Sequence, residues 1–176
     1  YLVGVILVFL GALYQPLAVI APEGLGFDRA FGEEVLRVFL YSLAGIVALN
    51  LARPLMDRLI LYKFSMEKET VHEQTVWTAA AEFGIYVATG LLIAGAVAGE
   101  GGKTEVLAVL TALAFFGMGM AVLVAFSLFY QFTTSFDIHS EIEAKNTAVG
   151  IAFGGNLIAI GLVTFKALFG DFVGWG

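Results

Sequence analysis

From Val106 to Tyr130 the chain carries no charged residue. A run of that length matches the roughly 20 residues an α-helix needs to cross a hydrocarbon core about 30 Å thick. Four other apolar stretches come close to it: Leu2–Ile20, which Pro16 interrupts, Val35–Leu55, Val76–Ala98 and Thr147–Phe169. In lipid every backbone N–H and C=O must find a partner inside the protein, so a spanning segment is a helix or a strand of a closed barrel. Barrel strands alternate apolar and polar with period two, and these stretches do not. The chain is therefore expected to be an all-α, polytopic membrane protein with five transmembrane helices.

Composition agrees. Hydrophobic residues make up 60% and charged residues 14%, against roughly 45–50% and about 25% in a soluble domain. A soluble fold this apolar would lack a polar coat. The lipid bilayer is thus the first partner. Cysteine is absent, which excludes disulfides, thiolate metal sites and cysteine nucleophiles. A formal charge of −6 argues against nucleic acid as a partner. The chain opens at Tyr1 within an apolar run, with no basic segment before it of the kind that starts a signal peptide. An N-terminal part is expected to precede Tyr1.

The connections differ in character. Those over 22–34 and 99–105 are short, Gly-rich and acidic. The connection over 53–75 carries Arg53, Arg58, Lys63 and Lys68, and that over 131–146 carries Lys145. Basic residues beside membrane segments favour the cytoplasmic side. Loops 53–75 and 131–146 are therefore expected to be cytoplasmic.

An internal repeat relates two helical hairpins. Shifted by 71 positions, Glu34, Val35, Leu36 and Val38 fall on Glu105, Val106, Leu107 and Val109. The same shift lays Ala81, Gly84, Ala88, Gly90 and Leu91 on Ala152, Gly155, Ala159, Gly161 and Leu162. A two-helix unit returns the chain to its starting side, so the copies share orientation, unlike inverted transporter repeats. The organisation read from this is a first helix in 1–27, a two-helix unit in 28–98 and a second in 99–176. The first helix would be the end of an earlier unit.

Small residues form two stripes. In the last segment Ala148, Ala152, Gly155 and Ala159 follow 4-3-4 spacing, and Gly150 and Gly154 make a GxxxG. In the third segment Ala81, Gly84, Ala88 and Gly95 form the matching stripe. Such faces let helix backbones approach closely, which drives association where lipid tails are as apolar as the helices. The first expectation is packing inside one protomer. The alternative is a face for self-association or for another membrane subunit.

Polar groups at membrane depth are few. Glu82 lies six residues into its segment, about 9 Å at 1.5 Å per residue. A carboxylate there is costly unless paired or protonated. Asn50 and Arg53 stand near the same end of the preceding segment, and Pro54 removes the backbone bond to the Asn50 carbonyl. An Arg53–Glu82 pair is the plainer expectation. The sharper one is a proton or cation site built from Glu82, Asn50 and the freed carbonyl, with Asn156 further along. Phe153 stands at the repeat position of Glu82, which favours the plain reading.

Asp137, His139, Glu141, Glu143 and Asn146 concentrate ligand-type atoms in one connection, and carboxylates with imidazole bind Zn or Mn. Ser140 and Glu143 also fit a capping box, as do Thr70 and Glu73 before the third segment. Capping is the expectation, and no metal is assigned. No P-loop, G-x-S-x-G or H-E-x-x-H is present, so no enzyme is expected. Haem ligation would fall to His72 or His139, both in connections instead of mid-helix, and no cofactor is assigned.

The stretch from Asp137 to Gly161 resembles the bacterial inner-membrane family known as Domain of Unknown Function 350. That family is built of paired helices with a Glu-rich turn, then Asn-x-Ala, then a Gly-containing second helix. The matching positions are Glu141, Glu143, Asn146, Ala148, Gly155 and Gly161. The resemblance covers the second copy, Val106–Phe169. In the first copy, Val35–Ala98, Thr75 replaces the Asn and His72 the second Glu, while Gly84 and Gly90 remain. The resemblance implies a multi-pass protein of a bacterial inner membrane and no particular biochemistry. The leading functional expectation is a structural or accessory component packing into a homo-oligomer or larger membrane complex. An ion- or proton-conducting protein is the second. A cofactor-holding subunit of an electron-transfer or light-harvesting complex is the third.

Overall fold

A computed structural model describes residues 1–23, 29–59, 76–98, 104–134, 141, 144 and 146–169. They form five helices and no strand: α1 Leu2–Glu23, α2 Arg29–Leu59, α3 Val76–Ala98, α4 Glu105–Thr133 and α5 Thr147–Leu168. Four hold an apolar stretch long enough to span a bilayer: Phe31–Met56, Ala79–Ala98, Val106–Thr133 and Thr147–Leu168. The corresponding stretch of α1 covers only Leu2–Tyr14 among the described residues. The five expected spans correspond to five helices, and among the described residues four of them are long and apolar enough to cross.

Local chemistry sets the helix starts. Thr104 caps α4, its Oγ1 accepting from the Leu107 N–H at 3.3 Å. Within α4, Ser127 and Thr133 donate their hydroxyls to the Leu123 and Phe129 carbonyls, both at 2.8 Å. Such bonds to the preceding turn satisfy a polar group where lipid offers none. Pro54 sits inside α2, which continues past it to Leu59.

α3 is the central helix. Within its span 78% of residues are buried by the rest of the protein, against 22% for α4. Its neighbours approach at glycines. A Cβ on Gly84 would lie 2.5 Å from the Gly154 Cα, and one on Gly161 would lie 2.8 Å from the Ala88 Cα. On the other side of α3, a Cβ on Gly11 would lie 2.5 Å from the Ala94 Cα, and one on Gly90 would lie 2.9 Å from the Gly4 Cα. In both contacts residue numbers rise together, so α1, α3 and α5 run parallel, side by side. α2 and α4 run the other way: Gly4 meets Leu49 while Gly45 meets Val8, and Gly119 meets Leu168 while Tyr130 meets Phe153.

Two apolar clusters fill the spaces between helices. The larger joins Met56 of α2, Ile85 and Leu92 of α3, Leu123 of α4, and Phe153 and Leu157 of α5. The smaller joins Val8, Leu49, Tyr86 and Ile93. Phe116 of α4 packs against both. Where lipid is the solvent, such contacts stabilise by dispersion and close packing more than by removal from water.

Candidate functional site: the α5 faces, the Asn146 turn and a groove beside α3

The third-segment stripe packs where a stripe of that kind should. Ala81, Gly84, Ala88 and Gly95 are all buried, and the first three face α5. Gly95 meets Phe165 and Leu168 of the same helix. The last-segment stripe differs from expectation. Ala148, Ala152, Gly155 and Ala159 are exposed on the protomer, and a Cβ on Gly155 would meet nothing within 4 Å. The contact with α3 is made instead by Phe153, Gly154, Leu157 and Gly161, which like Gly150 are buried. A Cβ on Gly154 would run into the Ala80 carbonyl oxygen. The two sets are offset by two positions, which is about 200° around a helix of 3.6 residues per turn. α5 therefore has two opposed small-residue faces, one gripping α3 and one open.

The intramembrane polar residues stand on three helices, α2, α3 and α5. Asn50 is exposed, and its Nδ2 donates to the Tyr1 hydroxyl at 3.1 Å and to the Ile46 carbonyl at 2.8 Å. The Tyr1 ring stands edge-on to Tyr86, 5.4 Å between centroids. Glu82 is half-buried, one turn before Tyr86 on α3, and Asn156 is half-buried on α5. The Asn50 amide thus ties α2 to the start of α1. Arg53 stands on α2, and its side chain lies outside the described ones, so the Arg53–Glu82 pair is not described.

The turn before α5 is built on Asn146. Its Oδ1 accepts from the Ala148 N–H at 3.2 Å, capping the helix. Its Nδ2 donates to Glu141 Oε2 at 2.7 Å, and its own N–H to the Glu141 carbonyl at 3.0 Å. One side chain thereby joins the carboxylate of the turn to the first free N–H groups of the helix. This gives Glu141 and Asn146 of the motif a physical reason. His72, Thr70, Glu73, Asp137, His139, Ser140 and Glu143 lie outside the described residues, and with them the proposed capping boxes. Asn146→Ala should cost about 1 kcal/mol, the usual worth of an N-cap. Faster hydrogen exchange confined to the first turn of α5 checks it. Asn146→Asp keeps the acceptor but sets two carboxylates together, so it should not restore the parent rate.

Sequence reasoning missed a groove between α2 and α4, floored by α3. Its volume is about 530 Å³, and Ala44, Ala48, Ala96 and Ala112 leave the room for it. Glu33 and Arg37 line one end. The available signal was the set of alanines on facing sides of two apolar segments.

Parallel glycine-packed helices, long apolar spans and a capped turn define a polytopic helical membrane protein built from repeated units. Comparison with known families matches the chain twice, over residues 1–97 and 104–176, to the family described as Domain of Unknown Function (DUF350). The chain belongs to this family. No curated protein and no solved structure matches it.

Proposed function

We propose that the protein is a structural component of a bacterial inner membrane, without catalytic activity, that assembles with itself or with other membrane subunits through the open face of α5. Loops 53–75 and 131–146 lie on the cytoplasmic side in this reading. One observation carries it. On α3, Ala81, Gly84 and Ala88 take a parallel helix at backbone contact. Their repeat counterparts on α5, Ala152, Gly155 and Ala159, are exposed. The surface that receives a helix in the first unit is thus present and unfilled in the second. A small-residue face of this kind is where helices associate in lipid.

Gly155→Leu tests this. A bulky side chain fills the open face, where a Cβ meets nothing of the protomer within 4 Å. Native mass spectrometry after mild extraction should show the parent as an assembly of fixed stoichiometry and the variant as a single chain that keeps the parent's helical circular dichroism. An unchanged assembly size in the variant overturns the reading.

A further inference from the structure

We propose that the groove between α2 and α4 holds one acyl chain of a zwitterionic phospholipid, with the phosphate at Arg37 and the head-group ammonium at Glu33. Among the described lining residues, charged groups stand at one end only. Glu33 and Arg37 lie within the first two turns of a span that begins at Phe31, about 3–9 Å along the helix. The interfacial layer is about 5–7.5 Å deep, so Glu33 falls within it and Arg37 just past its inner edge, from where a long side chain reaches back to the head groups. From Arg37 to Ala48 the α2 wall is apolar except for Tyr41, over about 16 Å at 1.5 Å per residue. One leaflet of hydrocarbon is about 15 Å deep, half of a 30 Å core. The apolar length therefore fits one acyl chain.

A transmembrane helix from a partner would need a trough across the whole bilayer. Here Phe116, packed against both apolar clusters, lines the groove at its inner part. Bulk lipid is as apolar as the groove, so selectivity rests on the head group. Arg37 offers a planar fork of N–H donors suited to phosphate. It stands 3.7 Å from Glu34, and Glu33 lines the groove beside it. A mouth with a cation and carboxylates complements a head group carrying both charges. A purely anionic head would meet the two carboxylates. The groove uses no residue of α5, so this proposal is independent of assembly through that helix.

The test is native mass spectrometry of the delipidated protein, in whatever assembly it forms, titrated with phosphatidylethanolamine or phosphatidylglycerol. The parent should retain one phosphatidylethanolamine per chain. Phosphatidylglycerol should bind about fivefold more weakly, the size of one exposed charge contact. Glu33→Gln should abolish that preference, and Arg37→Gln should weaken both lipids. Ala44→Trp and Ala112→Phe fill the groove from opposite walls. Each should lower occupancy about tenfold or more, and either one that keeps the parent's melting curve suffices. Parent-like lipid binding in both filled variants overturns the proposal, as does a polypeptide bound in the parent that excludes lipid and is lost from both.

Discussion

Gly154→Ala should destabilise the protein by about 3 kcal/mol, the upper end of the cost of overpacking a core, and the neighbouring Gly155→Ala should not destabilise it at all. The new methyl at Gly154 runs into the Ala80 carbonyl oxygen and sits 3.5 Å from the Ala81 Cα. These are backbone atoms of the central helix, and they cannot swing aside as a side chain would. α3 and α5 must separate, and the Gly84 and Gly161 contacts loosen with them. At Gly155 the methyl meets nothing within 4 Å, and alanine has the better helix propensity. Thermal unfolding in detergent checks the pair. For a chain of this size 3 kcal/mol corresponds to roughly 6–12 °C. Equal melting temperatures for the two variants would remove the backbone contact from the account.

Phe153→Ala is the second large effect. Phe153 is 1% exposed, belongs to the main cluster and stacks at 6.2 Å from Tyr130. In water-soluble cores Phe→Ala costs about 3–5 kcal/mol, from lost transfer energy and from the cavity left behind. In lipid the transfer part is small, so the cavity and lost dispersion set the cost at about 3 kcal/mol. Phe129, 63% exposed on α4, serves as the control and should tolerate alanine. Reversible unfolding of both variants in one detergent makes the comparison. A Phe153→Ala variant as stable as Phe129→Ala would contradict the packing of α5.

The same residue shows what was legible in advance. Phe153 at the repeat position of Glu82 favours an Arg53–Glu82 pair over a proton or cation site, and the Arg53 side chain lies outside the described ones. Helix number, approximate spans and the parallel relation of the units were readable because lipid imposes length and complete backbone pairing. The packing face of α5 was not readable. Ala148–Ala152–Gly155–Ala159 and Gly150–Gly154–Leu157–Gly161 have the same 4-3-4 spacing, and α5 is apolar all round. A soluble helix betrays its buried side through a polar opposite face. A membrane helix in lipid has no such label, so two small-residue stripes look alike until the neighbour is placed. The groove escaped notice because no single segment carries it. It exists only where alanines of α2, α3 and α4 come to one place.

Among the described residues three helices run one way and two the other, so these five helices taken together are electrically polar. Each helix carries roughly +0.5 charge at its N-terminal end and −0.5 at its C-terminal end. α2 and α4 cancel two of the three parallel dipoles, so one helix's worth remains across the membrane. Its positive end lies where α3 and α5 begin, on the side of loops 53–75 and 131–146. Moving a full charge through 100 mV is worth about 2.3 kcal/mol, so half a charge is worth about 1 kcal/mol. The contribution of these five helices in a membrane with a negative interior therefore favours those loops inside, by a term that owes nothing to their lysines and arginines.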